Sequence, residues 1–131
     1  INQSPENLNE KQKYDVILNL EVVEHVDNLN LYLKSCSNLL KDNGIIFTAT
    51  INRTFSSYIK AIVGAEYILR WLPIGTHDWN KFLKPEELEK IFSKINLSVD
   101  EIKGLSFNPI FSKWKESEDL SVNYIIAAKK N

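Results

Sequence analysis

The sequence predicts an α/β domain, a largely parallel sheet closed by an antiparallel strand, in the order β-α-β-α-α-β-β. Two observations carry that prediction. Two short, almost continuously apolar runs, Tyr14-Asp15-Val16-Ile17-Leu18-Asn19-Leu20 and Ile45-Ile46-Phe47-Thr48-Ala49-Thr50-Ile51, have the pattern of strands covered on both faces. Between them, residues 28–40 mix leucines with Lys34, Ser35 and Asn38, and end in Lys41-Asp42-Asn43-Gly44, with glycine placed for a left-handed cap. Strand, helix and strand make a βαβ unit, which requires a parallel pair and a right-handed crossover.

The remaining elements follow in order. Residues 1–13 are polar and read as a solvated lead-in to a domain spanning 14–131. Residues 54–72 have helical periodicity, but Lys60, Glu66 and Arg70 are their only charges. Such a helix has to bury two sides. A turn-rich loop through Gly75, His77 and Asp78 comes next, and Pro85-Glu86-Glu87 opens a conventional helix to about Ile95, with proline and carboxylates in the favoured first turn. Residues 97–103 and 121–129 read as two closing strands separated by a long loop containing Phe107, Pro109, Phe111 and Trp114.

Composition narrows the function classes. In 131 residues, 44 % hydrophobic and 25 % charged, no apolar run reaches the ~20 residues of a membrane-spanning helix. Sixteen basic against seventeen acidic residues leave a net charge of -1, which supplies no bulk attraction to nucleic acid. One cysteine, Cys36, excludes an internal disulfide and sits among leucines as a small core residue. The four glycines, Gly44, Gly64, Gly75 and Gly104, are too scattered for a phosphate-cradling loop. Methionine is absent and residue 1 is Ile, so the chain is expected to be a piece of a longer one.

Open parallel sheets bind ligands beyond the carboxyl ends of their strands, which directs attention to the residues after Leu20. If a helical turn starts there, Glu21, Glu24 and His25 stand at i, i+3 and i+4 and project from one face. Two carboxylates and an imidazole can hold a divalent ion with positions left open. The plain alternative is a solvated pair near a helix start, favoured by the helix dipole alone. His77 is a candidate base or substrate contact, and equally an ordinary loop histidine beside Asp78.

These residues also carry a resemblance. Tyr14-Asp15-Val16-Ile17, Glu21-Val22-Val23-Glu24-His25-Val26, Leu39-Leu40-Lys41-Asp42-Asn43-Gly44 and Thr50-Ile51-Asn52-Arg53 resemble the second half of class I S-adenosylmethionine-dependent methyltransferases, a Rossmann-like fold. Val63-Gly64-Ala65-Glu66-Tyr67-Ile68-Leu69-Arg70, Pro73-Ile74-Gly75-Thr76-His77, Phe82-Leu83-Lys84-Pro85-Glu86, Gly104-Leu105-Ser106-Phe107-Asn108-Pro109 and Val122-Asn123-Tyr124 narrow it to the ubiquinone biosynthesis O-methyltransferase family.

The resemblance implies methyl transfer from S-adenosylmethionine to a phenolic hydroxyl of a polyprenyl-hydroxyphenol and of demethylubiquinol. It further implies that Leu20 contacts the cofactor and that Glu21, Glu24 and His25 ligate a divalent cation, Mg²⁺ by family habit. No catalytic base is assigned. Residues 54–80 become a candidate insertion facing the substrate or leaning on a membrane surface, with Trp71 suited to the interface; packing between the sheet and a partner subunit is the alternative. A cytoplasmic location is expected, with peripheral attachment to an inner membrane, on the matrix side in a mitochondrion.

The family's glycine-rich cofactor loop has no counterpart in these residues, so the chain alone is expected to be inactive. Its exposed sheet edge is expected to self-associate or to pair with the complementary N-terminal half. The alternative function is a non-catalytic module, from a split or truncated methyltransferase, that only binds a partner or a membrane.

Overall fold

The computed structural model describes residues 3–9, 11–59, 78–108 and 113–131. Strand β1 (Tyr14–Leu20) leads through a turn to helix α1 (Leu29–Leu39), which returns along strand β2 (Leu40–Ile51). A single helical turn, α2 (Phe55–Ser57), comes after β2. Helix α3 (Pro85–Lys94) then precedes three strands, β3 (Leu97–Asn108), β4 (Lys113–Ser117) and β5 (Asn123–Lys130).

The five strands form one sheet in the order β1-β2-β5-β3-β4. β1 and β2 run parallel, as the βαβ reading requires, with Leu18 opposite Phe47 and Leu20 opposite Ala49. β5 inserts between β2 and β3 and is antiparallel to both. The closing part of the sheet is therefore antiparallel at every pairing. The long loop expected between the closing strands is mostly strand: β3 runs on to Asn108, and β4 folds back on it from Gly104 opposite Ser117 to Asn108 opposite Lys113. Lys113-Trp114-Lys115-Glu116-Ser117 is too charged to look buried, and an edge strand does not need to be.

The core lies on one face of the sheet, under α1 and α3. Leu33, Cys36 and Leu39 of α1, Leu88 and Phe92 of α3, Ile46 of β2 and Tyr124, Ile126 and Ala128 of β5 are all buried there. The helices start as their sequences dictate. Asn28 Oδ1 accepts the Leu31 N–H at 3.1 Å, capping α1, and the Lys84 N–H donates to Glu87 Oε2 at 2.9 Å in front of α3. Tyr124 donates its hydroxyl to the Leu83 carbonyl at 2.9 Å, tying β5 to the approach to α3.

Two local expectations are corrected. The left-handed residue after α1 is Asn43, with φ 63°, and not Gly44. Gly44 serves close approach instead, since a Cβ there would stand 2.9 Å from the Lys41 carbonyl and 3.2 Å from that of Asp15. The lead-in is not wholly solvated: a 3₁₀ turn at Pro5–Asn7 lies against α1, and Leu8 is half-buried.

On the opposite face β1 is bare. Val16, Leu18 and Leu20 are 51 %, 61 % and 54 % exposed, and the half-buried in-register neighbours Ile45 and Phe47 continue the same apolar surface across β2. Most of the two-sided helix at 54–72, the Glu66–Arg70 pair, Leu69, Trp71 and His77 lie outside the described residues.

Candidate active site at the carboxyl end of the parallel strands

The chain leaves β1 with one more ladder bond, the Glu21 N–H donating to the Ala49 carbonyl at 3.0 Å, and then reverses. Glu21 makes the reversal, at φ 54°, a left-handed conformation that costs a residue with a side chain about 1 kcal/mol. Residues 22–25 then form a turn, closed by the His25 N–H on the Val22 carbonyl at 2.9 Å, and not the start of a helix. The expected single helical face carrying Glu21, Glu24 and His25 is therefore absent. Among the described residues no three His, Cys, Asp or Glu side chains form a metal-holding group.

The turn does bring two of the three together. Val23 and Glu24 fold over the end of β2, both only 3 % exposed. Glu24 Oε2 accepts the Thr50 hydroxyl at 2.9 Å, while Glu24 Oε1 is buried without a hydrogen-bond partner. Glu21 stays exposed over much of its surface, but partial loss of water around its carboxyl first, and then the Glu24 carboxyl beside it, push its pKa up from 4.5 to about 8. Two carboxylates both accept hydrogen bonds, so neither can satisfy the other unless a proton or a cation lies between them. Held up to about 8, Glu21 keeps a proton beside Glu24 at neutral pH, and the positive charge that could take that proton's place between two oxygen donors is a hard divalent cation. His25 stands apart, exposed, on an open cleft of about 570 Å³ that Val22, Val26 and Tyr32 also line.

The same corner is heavily tied down. The Asn52 N–H donates to the Val122 carbonyl at 2.8 Å, and Asn52 Nδ2 to the Leu120 carbonyl at 2.8 Å. Thr54 donates its hydroxyl to the Ser121 carbonyl, and Arg53 pairs with Glu87 of α3. The chain returns to this corner at Trp79, whose indole N–H donates to the Thr54 carbonyl at 3.3 Å and whose ring meets Tyr58 edge-on at 6.5 Å between centroids. Tyr58 and Trp79 thus meet beside Thr54, just past the carboxyl end of β2. Leu20 stands at the mouth of this region, exposed at the last position of β1.

Cys36 belongs to the core, as its leucine neighbours suggest. Burial pushes its thiol up to about 11, and Asn19 approaches the sulfur at 4.0 Å while accepting the Tyr32 hydroxyl at 2.9 Å. Sequence reasoning missed Thr50. Part of its signal was available: Thr48 and Thr50 place hydroxyls at alternate positions of the otherwise apolar run 45–51, and Asn52 continues the alternation just beyond it. A polar stripe on a buried face calls for partners.

Comparison with known proteins assigns the fold. The model of the methyltransferase domain family matches residues 2–102. The chain belongs to the methyltransferase domain family. Among curated relatives, the methyltransferase chain is 57 % identical over 128 residues to the ubiquinone biosynthesis O-methyltransferase of Pelagibacter ubique (strain HTCC1062), covering 98 % of this chain and 53 % of that protein. It is 50 % identical over 123 residues to the protein of the same name in Bartonella tribocorum, covering 94 % and 50 %. The methyltransferase chain spans about half the length of these relatives.

Two solved structures share the fold. The magnesium protoporphyrin IX methyltransferase of Synechocystis PCC 6803, with bound SAH, superposes with TM-score 0.64 at 14 % identity, over 98 % of this methyltransferase chain and 49 % of that one. A SAM-dependent methyltransferase from Archaeoglobus fulgidus superposes with TM-score 0.64 at 19 % identity, over 91 % and 60 %.

Proposed function

We propose that this chain is the metal- and substrate-side part of an S-adenosylmethionine-dependent O-methyltransferase of ubiquinone biosynthesis. The enzyme would methylate a phenolic hydroxyl of a polyprenyl-hydroxyphenol and of demethylubiquinol. The observation that carries this reading is the Glu21–Glu24 pair at the carboxyl end of β1, in a chain 57 % identical to a relative of that name. Leu20, at the mouth of the site, is the residue proposed to touch the cofactor. Glu21 and Glu24 would hold the divalent cation, Mg²⁺ by preference for oxygen ligands, with His25 completing the set by a movement of its turn.

A free phenol has a pKa near ~10 and is mostly protonated at neutral pH, so its oxygen is a poor nucleophile. A bound cation would supply Lewis acidity that favours the phenolate. The chain's own residues supply the rest. With the Glu21 proton displaced, the two carboxylates would create the negative field that retains the ion, and the hydrogen bonds of Asn52, Thr54 and Arg53 keep the corner in place for alignment of the acceptor oxygen. Residues 54–80 are proposed to meet the prenylated substrate at a membrane surface. Among the described residues no helix is long and apolar enough to cross a membrane.

With only four scattered glycines, the 131 residues contain no loop able to cradle the cofactor, and the isolated chain is proposed to be inactive. Calorimetric titration of the pure chain with S-adenosylmethionine, alongside methyl transfer to a catechol, tests that statement. No saturable binding and no turnover above blank are expected, and turnover by the isolated chain would contradict it. A second reading rests on the bare apolar face of Val16, Leu18 and Leu20: the chain pairs with a complementary half or with itself through that face, with or without catalysis.

A further inference from the structure

Glu24 is held in an unusual way for a buried carboxylate. It is 3 % exposed, one oxygen accepts a single hydroxyl, and the other is without a hydrogen-bond donor although the Glu21 carboxyl lies near the group. A buried carboxylate free to choose would turn both oxygens toward donors, because a buried acceptor without a donor carries its desolvation cost uncompensated. What stops it is Thr50. That residue is fully buried in β2, in register with Tyr124 of β5. A threonine in a strand has little χ1 freedom, so its hydroxyl is a fixed point rather than a mobile one. With Oε2 anchored at 2.9 Å, rotation of the Glu24 carboxyl would break that bond, and Oε1 is left unengaged.

We propose that Thr50 is a positioning residue, whose hydroxyl holds Oε2 of Glu24 so that Oε1 stays free to take a divalent cation between Glu24 and Glu21. The inference rests on the proposed cation-binding role of these carboxylates and adds to it the group that orients one ligand. Outer hydrogen bonds to metal-binding carboxylates fix ligand orientation, and losing one typically weakens metal affinity about 10–100-fold. Thr50 touches neither ion nor substrate; it acts only through Glu24. The hydroxyl is the functional part, and the γ-methyl is packing.

The test is Mn²⁺ binding to the 131-residue chain, read by loss of the free-ion electron paramagnetic resonance signal, for wild type, Thr50→Val, Thr50→Ser and Glu24→Gln. Near-ultraviolet circular dichroism checks each fold. Thr50→Val keeps the side-chain volume and removes the donor, and is expected to weaken Mn²⁺ about tenfold or more. Thr50→Ser keeps the donor and is expected to bind within about threefold of wild type, a rescue that a packing role would not produce. If the valine variant does not fold, Thr50→Ala takes its place against Thr50→Ser. Equal affinity of wild type and Thr50→Val, or equal weakening by Ser and Val, overturns the role of Thr50 and leaves cation binding standing. Absence of Mn²⁺ binding in wild type overturns both.

Discussion

Replacing Glu21 by glutamine should flatten the dependence of stability on pH between about 4.5 and 8. In the folded chain, burial and then the neighbouring Glu24 carboxyl hold Glu21 up to about 8, against 4.5 for a free glutamate. Between those values the folded state keeps a proton that the unfolded state has lost, so stability falls as pH rises, by at most ~1.4 kcal/mol per pH unit. The contribution is fully present below about 4.5 and is lost as pH passes through about 8. Taken at face value the interval would be worth nearly ~5 kcal/mol. Glu21 is exposed, however, and water screens its repulsion with Glu24, so about 1–2 kcal/mol is the expected size. Urea unfolding of wild type and Glu21→Gln at about pH 5, 6.5 and 8.5 measures it. The wild type should lose about 1–2 kcal/mol relative to the variant across that range. Parallel profiles, or a wild type that gains on the variant at high pH, would show that the two carboxyls do not share a poorly solvated site.

The same geometry sets other outcomes. Gly104→Ala should lower stability by about 1–3 kcal/mol in thermal melts, because a Cβ there runs into the Asp119 carbonyl where β3 pairs with β4; an unchanged melting temperature would mean that the 117–120 turn relaxes freely. Leu18→Glu, placing a charge in the middle of the bare face of β1, should reduce self-association in sedimentation velocity, and an unaltered distribution would remove that face as an interface. Liposome co-sedimentation of wild type beside a Leu69→Glu, Trp71→Glu double variant should show weaker binding by the variant. Equal pelleting would argue against a membrane role for residues 54–80.

The parts of this fold that could be read in the sequence are those where local pattern and burial agree. Tyr14–Leu20 is continuous apolar strand sequence and forms the strand it predicts, paired in parallel with Ile45–Ile51 through a helix capped by Asn28. Pro85-Glu86-Glu87 marks the start of α3 at the first residue of the helix. Edge structure was harder to read. Lys113–Ser117 becomes a strand through backbone pairing to β3, which leaves its charged side chains at the rim, so no hydrophobic alternation announces it. The site was half legible. The residue types after Leu20 pointed to a carboxylate cluster, but their spacing assumed a helix, and the left-handed Glu21 replaced it by a turn that pairs Glu21 with Glu24 and leaves His25 on a separate cleft. The alternation of Thr48 and Thr50 marks hydroxyls in need of partners, but that Glu24 is the partner of Thr50 follows only from β2 lying beside that turn, a contact across 26 positions.

The most direct test of the proposed activity is a chimera in which this chain replaces the matching 128-residue stretch of the Pelagibacter ubique relative, assayed for methyl transfer from S-adenosylmethionine to a catechol-type phenol. Turnover by the chimera in the presence of Mg²⁺ is predicted, as is loss of turnover when Glu24→Gln is introduced into it. A folded chimera that binds S-adenosylmethionine yet transfers no methyl group, or a Glu24→Gln chimera as active as its parent, would contradict the assignment.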